Sequence, residues 1–147
     1  MPGIVCAIRG GPDSRLTIER AIRLARETNL PIEFLYVVNL DFLVRTTRSR
    51  VDTISSEMEQ LGEFILLAAQ AEADSAGVIS EGIVRHGQVR DVIVSVCLEK
   101  TAKYVVLGRP KGKPEGNVFT HDAIAKLKGY IEQKSGAQVV VAQEKSA

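Results

Sequence analysis

Tryptophan is absent from this chain, and aromatic residues of any kind make up only 5% of it. That leaves little for a base-stacking platform, the usual means of holding single-stranded nucleic acid. An excess of one charge is missing too: nineteen basic residues face eighteen acidic ones, for a formal charge of +1. Without a concentrated positive field, no nucleic-acid partner is expected. Only two cysteines occur, Cys6 and Cys97, both in apolar surroundings. They read as buried thiols of a reducing compartment, not as a disulfide framework. Metal ligands are equally sparse, since His86 and His121 have neither HxxxH spacing nor a CxxC partner. No apolar run approaches the ~20 residues of a membrane span, and Met1–Cys6 has no basic region leading into an apolar one. A cytoplasmic protein with no membrane contact is expected.

What is present is a globular composition, 45% apolar and 25% charged, close to the average for folded domains. At 147 residues, one domain covering 1–147 is expected, large enough for a genuine core. Ile4–Ile8 is a continuous apolar run, as for a strand buried on both faces. Arg9-Gly-Gly-Pro-Asp-Ser14 then supplies turn chemistry, with Asp13 or Ser14 able to cap a helix. Ile18, Ala21, Ile22 and Ala25 share one face of that helix, which Asn29-Leu-Pro31 ends. Ile32–Val38 reads as the second strand. Arg45-Thr-Thr-Arg-Ser-Arg50 reads as a solvated connection in preference to a phosphate- or protein-binding patch.

Val51, Ile54, Met58, Leu61, Ile65 and Ala68 recur at spacings of three and four, marking a long helix stopped by Gly77. Met58 reads as core filling. Val78–Val84 is the third strand, and His86–Asp91 opens a helix whose inner face is Val89, Val92, Ile93, Val96 and Cys97. Tyr104–Leu107 is the fourth strand, Thr120–Lys134 the last helix, and Gln138–Ala142 the fifth strand. Strands alternating with helices give an α/β fold with one parallel sheet and right-handed crossovers. Ligands of such sheets bind beyond the carboxyl ends of the strands, where strand order reverses.

The richest chemistry lies between Tyr104 and Asn117. A strand ends at Gly108, and a basic loop with Arg109, Lys111, Lys113, Gly112 and Gly116 leads towards a helix. That layout brings backbone N–H groups and a helix N-terminus onto a phosphate, and glycine lets a ligand approach the backbone. A plain surface turn with solvated lysines is the competing reading. If the first and fourth strands are neighbours, Arg9-Gly10-Gly11 faces the Gly108 loop across one crevice.

Read as a whole, the chain resembles the universal stress protein family. The matching stretches are Cys6-Ala-Ile-Arg-Gly-Gly-Pro12, Leu35-Tyr-Val-Val38, His86-Gly-Gln-Val-Arg-Asp-Val-Ile93, Val105-Val-Leu-Gly-Arg109 and Val139-Val-Val-Ala142. The resemblance implies a five-stranded sheet of order 3-2-1-4-5 with helices on both faces, of the adenine nucleotide alpha hydrolase-like kind. Nucleotide-binding members hold ATP with an aspartate ending strand one and a pattern G-x-x-G-(nine residues)-G-S/T. Carried over, the aspartate falls on Arg9, with Ala7 and Val37 lining the adenine pocket and Gly10 following in the first loop. Leu107, Gly108 and Arg109 match the end of strand four; Gly112 stands for the second glycine, and Gly116-Asn117-Val118 for Gly-Ser-Val.

Here the chain departs from the pattern. Arg9 puts a donor where relatives keep an acceptor, and three residues separate Gly108 from Gly112 and Gly112 from Gly116. The shorter loop wraps less of a triphosphate. Arg9 either binds an anion together with Arg109 and Lys111, or fills the vacated pocket and pairs with a carboxylate. The resemblance thus implies a non-catalytic regulatory or binding domain with ATP binding lost or altered. No cofactor is expected, though ATP or another phosphate-bearing ligand remains open. Retention of ATP is the alternative. A third reading compares Gly10-Gly-Pro-Asp-Ser14 with the pyrophosphate loop of ATP pyrophosphatases, an enzyme class that adenylates its substrate. The family also suggests a homodimer through Val139-Val-Val141, an apolar run suited to a sheet edge, and a protein partner of unknown identity.

Overall fold

Apolar runs without alternation become the middle of the sheet. β1 (Ile4–Ala7) lies between β2 (Ile32–Val38) and β4 (Tyr104–Gly108), with β3 (Ser80–His86) and β5 (Gln138–Ala142) at the edges. Every pairing is parallel, in the order β3-β2-β1-β4-β5. The computed structural model describes residues 3–9, 14–39, 48–108 and 121–142. Helices α1 (Ser14–Thr28), α2 (Arg48–Ser75), α3 (Val89–Lys100) and α4 (His121–Ser135) alternate with the strands. The expected five-stranded parallel α/β sheet of order 3-2-1-4-5 is the one observed. No helix among the described residues is long and apolar enough to cross a membrane.

Because side chains alternate along a strand, β1 feeds two cores. Ile4, Cys6 and Ile8 join Phe34, Ile18, Leu24 and Leu66 on the face covered by α1 and α2. Val5 joins Leu35, Ile93, Val96, Val105 and Ile131 on the face covered by α3 and α4. The ladder runs one residue beyond β1, where the Ile8 amide donates to the Leu35 carbonyl at 2.9 Å.

The edges depart from the sequence expectation. β3 begins at Ser80, not Val78, because the Val78 amide donates to the Ala73 carbonyl at 2.9 Å and its side chain is buried. The chain therefore joins the sheet only opposite Ile32 and stays in it to His86, opposite Val38. Arg48–Arg50, read as part of a solvated connection, forms the first turn of α2. Val89, assigned to the inner face of its helix, is 38% exposed because it opens α3, ahead of the buried Val92 and Ile93.

α2 approaches the sheet through small residues. Gly62, Ala69 and Ala73 are buried, and a Cβ on Gly62 would collide with the Tyr36 ring. At Gly129 in α4, by contrast, a Cβ meets nothing within 4 Å. Gly129→Ala should therefore raise stability by ~1 kcal/mol, the helix-propensity gain. Gly62→Ala should lower it by ~1–3 kcal/mol through overpacking. Urea denaturation of the two variants reads both signs.

Candidate functional site

The carboxyl ends of the strands open into a cavity of about 580 Å³, within the range of small-ligand pockets. Ala7, Val37, Leu107, Gly108 and Val141 reach it from the sheet, and Arg9 from the residues just past β1. The β1–β4 pairing sets Ala7 beside Leu107, so Arg9 and Gly108 border one crevice. A Cβ on Gly108 would stand 2.5 Å from Thr17 Oγ1 in α1, so any side chain there requires that hydroxyl to move.

Five of the sequence-identified residues, Ala7, Arg9, Val37, Leu107 and Gly108, thus share this cavity. Gly10, Arg109, Gly112, Gly116, Asn117 and Val118, with Lys111 and Lys113, lie outside the described residues. So do Gly10–Asp13 of the pyrophosphate-loop comparison, while Ser14 is buried as the first residue of α1. His86 closes β3 and hydrogen-bonds Glu59 of α2 through Nε2; neither residue lines the cavity. Met58, read as core filling, packs on the core and also lines the cavity.

The stretch that opens α3 is legible in the sequence, but its residues Gln88, Val89 and Arg90 are not among the sequence-identified site residues. Gln88, Val89 and Arg90 line the cavity, after a turn in which Gly87 takes a φ of 136°. Parallel crossovers return every helix N-terminus to the same sheet edge, so the spacing from Gly87 to Asp91 already held the signal. Arg90 is held in place: its guanidinium stacks 5.0 Å from the Tyr130 ring centroid, and its Nε is 3.9 Å from Asp91 Oδ1. The Tyr130 hydroxyl donates to the same Asp91 oxygen at 2.9 Å. That hydrogen bond to a carboxylate is the main reason the phenol pKa is raised.

Arg9 and Arg90 are the only charged residues among the described lining, and no carboxylate is present. The floor is apolar, from Ala7, Val37, Ile93, Leu107 and Leu127. An apolar body carrying an anion suits such a surface, and the α3 N-terminus adds a partial positive charge. A second hollow of about 460 Å³ at the opposite strand ends has the wrong sign for an anion, being lined by Glu33, Glu81 and Glu99 with Lys100. There burial, more than the neighbouring charges, raises the Glu33 pKa. The thiols offer no nucleophile: burial pushes Cys97 up to about 12, partly opposed by its hydrogen bond with Ser135, and raises Cys6 as well. No cluster of metal-ligating side chains occurs among the described residues.

The fold is that of known proteins. Universal stress protein UspA from Lactobacillus plantarum superposes with a TM-score of 0.78 at 13% identity, covering 97% of each chain. The universal stress protein from Archaeoglobus fulgidus in complex with dAMP gives 0.63 at 16% identity, over 97% of this chain and 98% of that one. A universal stress protein family protein from Arabidopsis thaliana with AMP bound gives 0.65 at 12% identity, over 99% and 94%. A sequence search of curated proteins finds no significant match. The family model of the Universal stress protein family matches residues 2–123, which include β1, β4 and the α3 turn that build the cavity. The chain belongs to the universal stress protein family.

Proposed function

We propose that this chain is a non-catalytic binding module that takes a phosphate-bearing ligand of the mononucleotide kind in the Arg9–Gly108 crevice, with ATP recognition altered. One observation carries the reading: the described lining has two guanidiniums and no carboxylate around an apolar floor. Arg9 occupies the place where nucleotide-binding relatives keep an aspartate, so the ligand's contact there changes from a donor group to an anion. The relatives solved with AMP and with dAMP make a nucleoside monophosphate the natural first probe.

Calorimetric titration with AMP and ATP tests the reading, with parallel assays for ADP, AMP and pyrophosphate. AMP should bind at least as tightly as ATP, with no turnover over hours. Tighter ATP binding would favour retention of the family's usual mode, and release of pyrophosphate would favour the adenylating enzyme.

The same module is proposed to form a homodimer through Val139–Val141. β5 is an edge strand, and Val140 and Val141 are only half-buried, which invites strand pairing with a second copy. Light scattering at micromolar concentration should give twice the 16.0 kDa chain mass; the monomer mass would refute this arrangement.

A further inference from the structure

α2 has a second apolar face that the sheet does not cover. Leu61, Phe64 and Leu67 are 54%, 71% and 64% exposed, and Ile79, just before β3, is 78% exposed. Spacings of three and four place Leu61, Phe64, Leu67, Ala68 and Ala71 on one stripe of the helix. A groove of about 600 Å³ runs on from it, lined by Leu67, Ala71, Val78 and Ile79 together with the polar Gln70 and Asp74. The opposite side of the same helix is already spent on the core through Leu66, Ala69 and Ala73. A helix apolar on both sides is built to be covered twice, and a continuous exposed patch of this kind marks a contact surface.

Charge selects the occupant. From Val51 to Val84 the chain has seven carboxylates, Asp52, Glu57, Glu59, Glu63, Glu72, Asp74 and Glu81, and no lysine or arginine. Glu57 stands one turn before Leu61 on the stripe, while helical spacing sets Glu63 and Glu72 on its two flanks; all three are exposed. Arg50, two turns before Glu57, is the nearest cation on the helix, so a second copy centred on Phe64 would set carboxylates against carboxylates, and an anionic membrane would be repelled. The geometry points to a cationic amphipathic helix of a partner protein as the occupant, its apolar side on Leu61, Phe64, Leu67 and Ile79 and its lysines or arginines against the glutamates. This is helix-in-groove recognition with the charge sign fixed by the acidic rim.

The test uses two synthetic 18-residue helices with the same leucine stripe, one flanked by lysines and one by glutamates. Calorimetry should show the lysine peptide binding at least tenfold tighter, with amide shifts confined to α2 and the Val78–Ile79 turn. Phe64→Ser with Leu67→Ser should weaken it at least tenfold, and these exposed sites should leave the circular dichroism unchanged. Glu57→Lys with Glu63→Lys and Glu72→Lys should reverse the preference towards the glutamate peptide. The proposal is overturned if the peptides bind equally, if the lysine peptide does not bind, or if neither set of changes matters. A dimer abolished by the serine changes would overturn it in favour of a second copy, and adhesion to phosphatidylserine vesicles in favour of a membrane.

Discussion

Arg9→Gln should weaken AMP binding about tenfold or more, without lowering the melting temperature. Hydrogen bonds to a charged group contribute ~1.5–3 kcal/mol, and ~1.4 kcal/mol is a factor of ten in affinity. Arg9 is exposed at the edge of the cavity and belongs to neither core, so stability gives it no other role. Arg90→Gln should act in the same direction but less strongly, because Asp91 and the Tyr130 ring already share its charge. Calorimetry of both variants beside thermal melts separates binding from folding. An Arg9→Gln protein that binds AMP as well as the wild type would remove Arg9 from the site.

Phe34→Ala should cost ~3–5 kcal/mol of folding stability, towards the upper end of that range. Phe34 is fully buried in the core between the sheet and helices α1 and α2. Its register neighbours are Cys6 on β1 and Gly82 on β3, both small. Neither strand neighbour is large enough to swing into the space, and α2 already sits on Gly82, where a Cβ would strike Gln70 and press on Leu66. The cavity therefore stays open, which is what makes a large-to-small change expensive. Chemical denaturation gives the value directly; a loss below ~1 kcal/mol would mean that the helix layer collapses onto the gap.

The sheet was legible because its signal is strong. Runs such as Ile4–Ile8 and Ile32–Val38 have no alternation and so demand burial on both sides, which only a covered parallel sheet provides. The same logic carried Arg9 and Gly108 to one sheet edge, since every strand of a parallel sheet ends at that edge. What periodicity could not settle was the facing of α2. Around Leu61–Ala71 nearly every position is apolar, so a three-and-four spacing fits several faces. Contact with the sheet went to the side where Gly62, Ala69 and Ala73 permit close approach, leaving Leu61 and Phe64 outside.

Arg90 was hidden for a different reason. A lone arginine at the start of a helix resembles any solvated residue; the ring of Tyr130, forty positions later, fixes it beside the cavity. The start of β3 shifted by two residues because the backbone of Val78 first completes the turn closing α2. Hydrogen-bond accounting of that kind depends on tertiary position, not on the apolar pattern.

Isothermal titration of the wild-type protein with AMP and with adenosine decides whether the crevice reads an anion. Two guanidiniums and the absence of a carboxylate among the described lining residues predict AMP binding at least ~10-fold tighter, a difference of ~1.4 kcal/mol. Equal affinities, or tighter binding of adenosine, would contradict it.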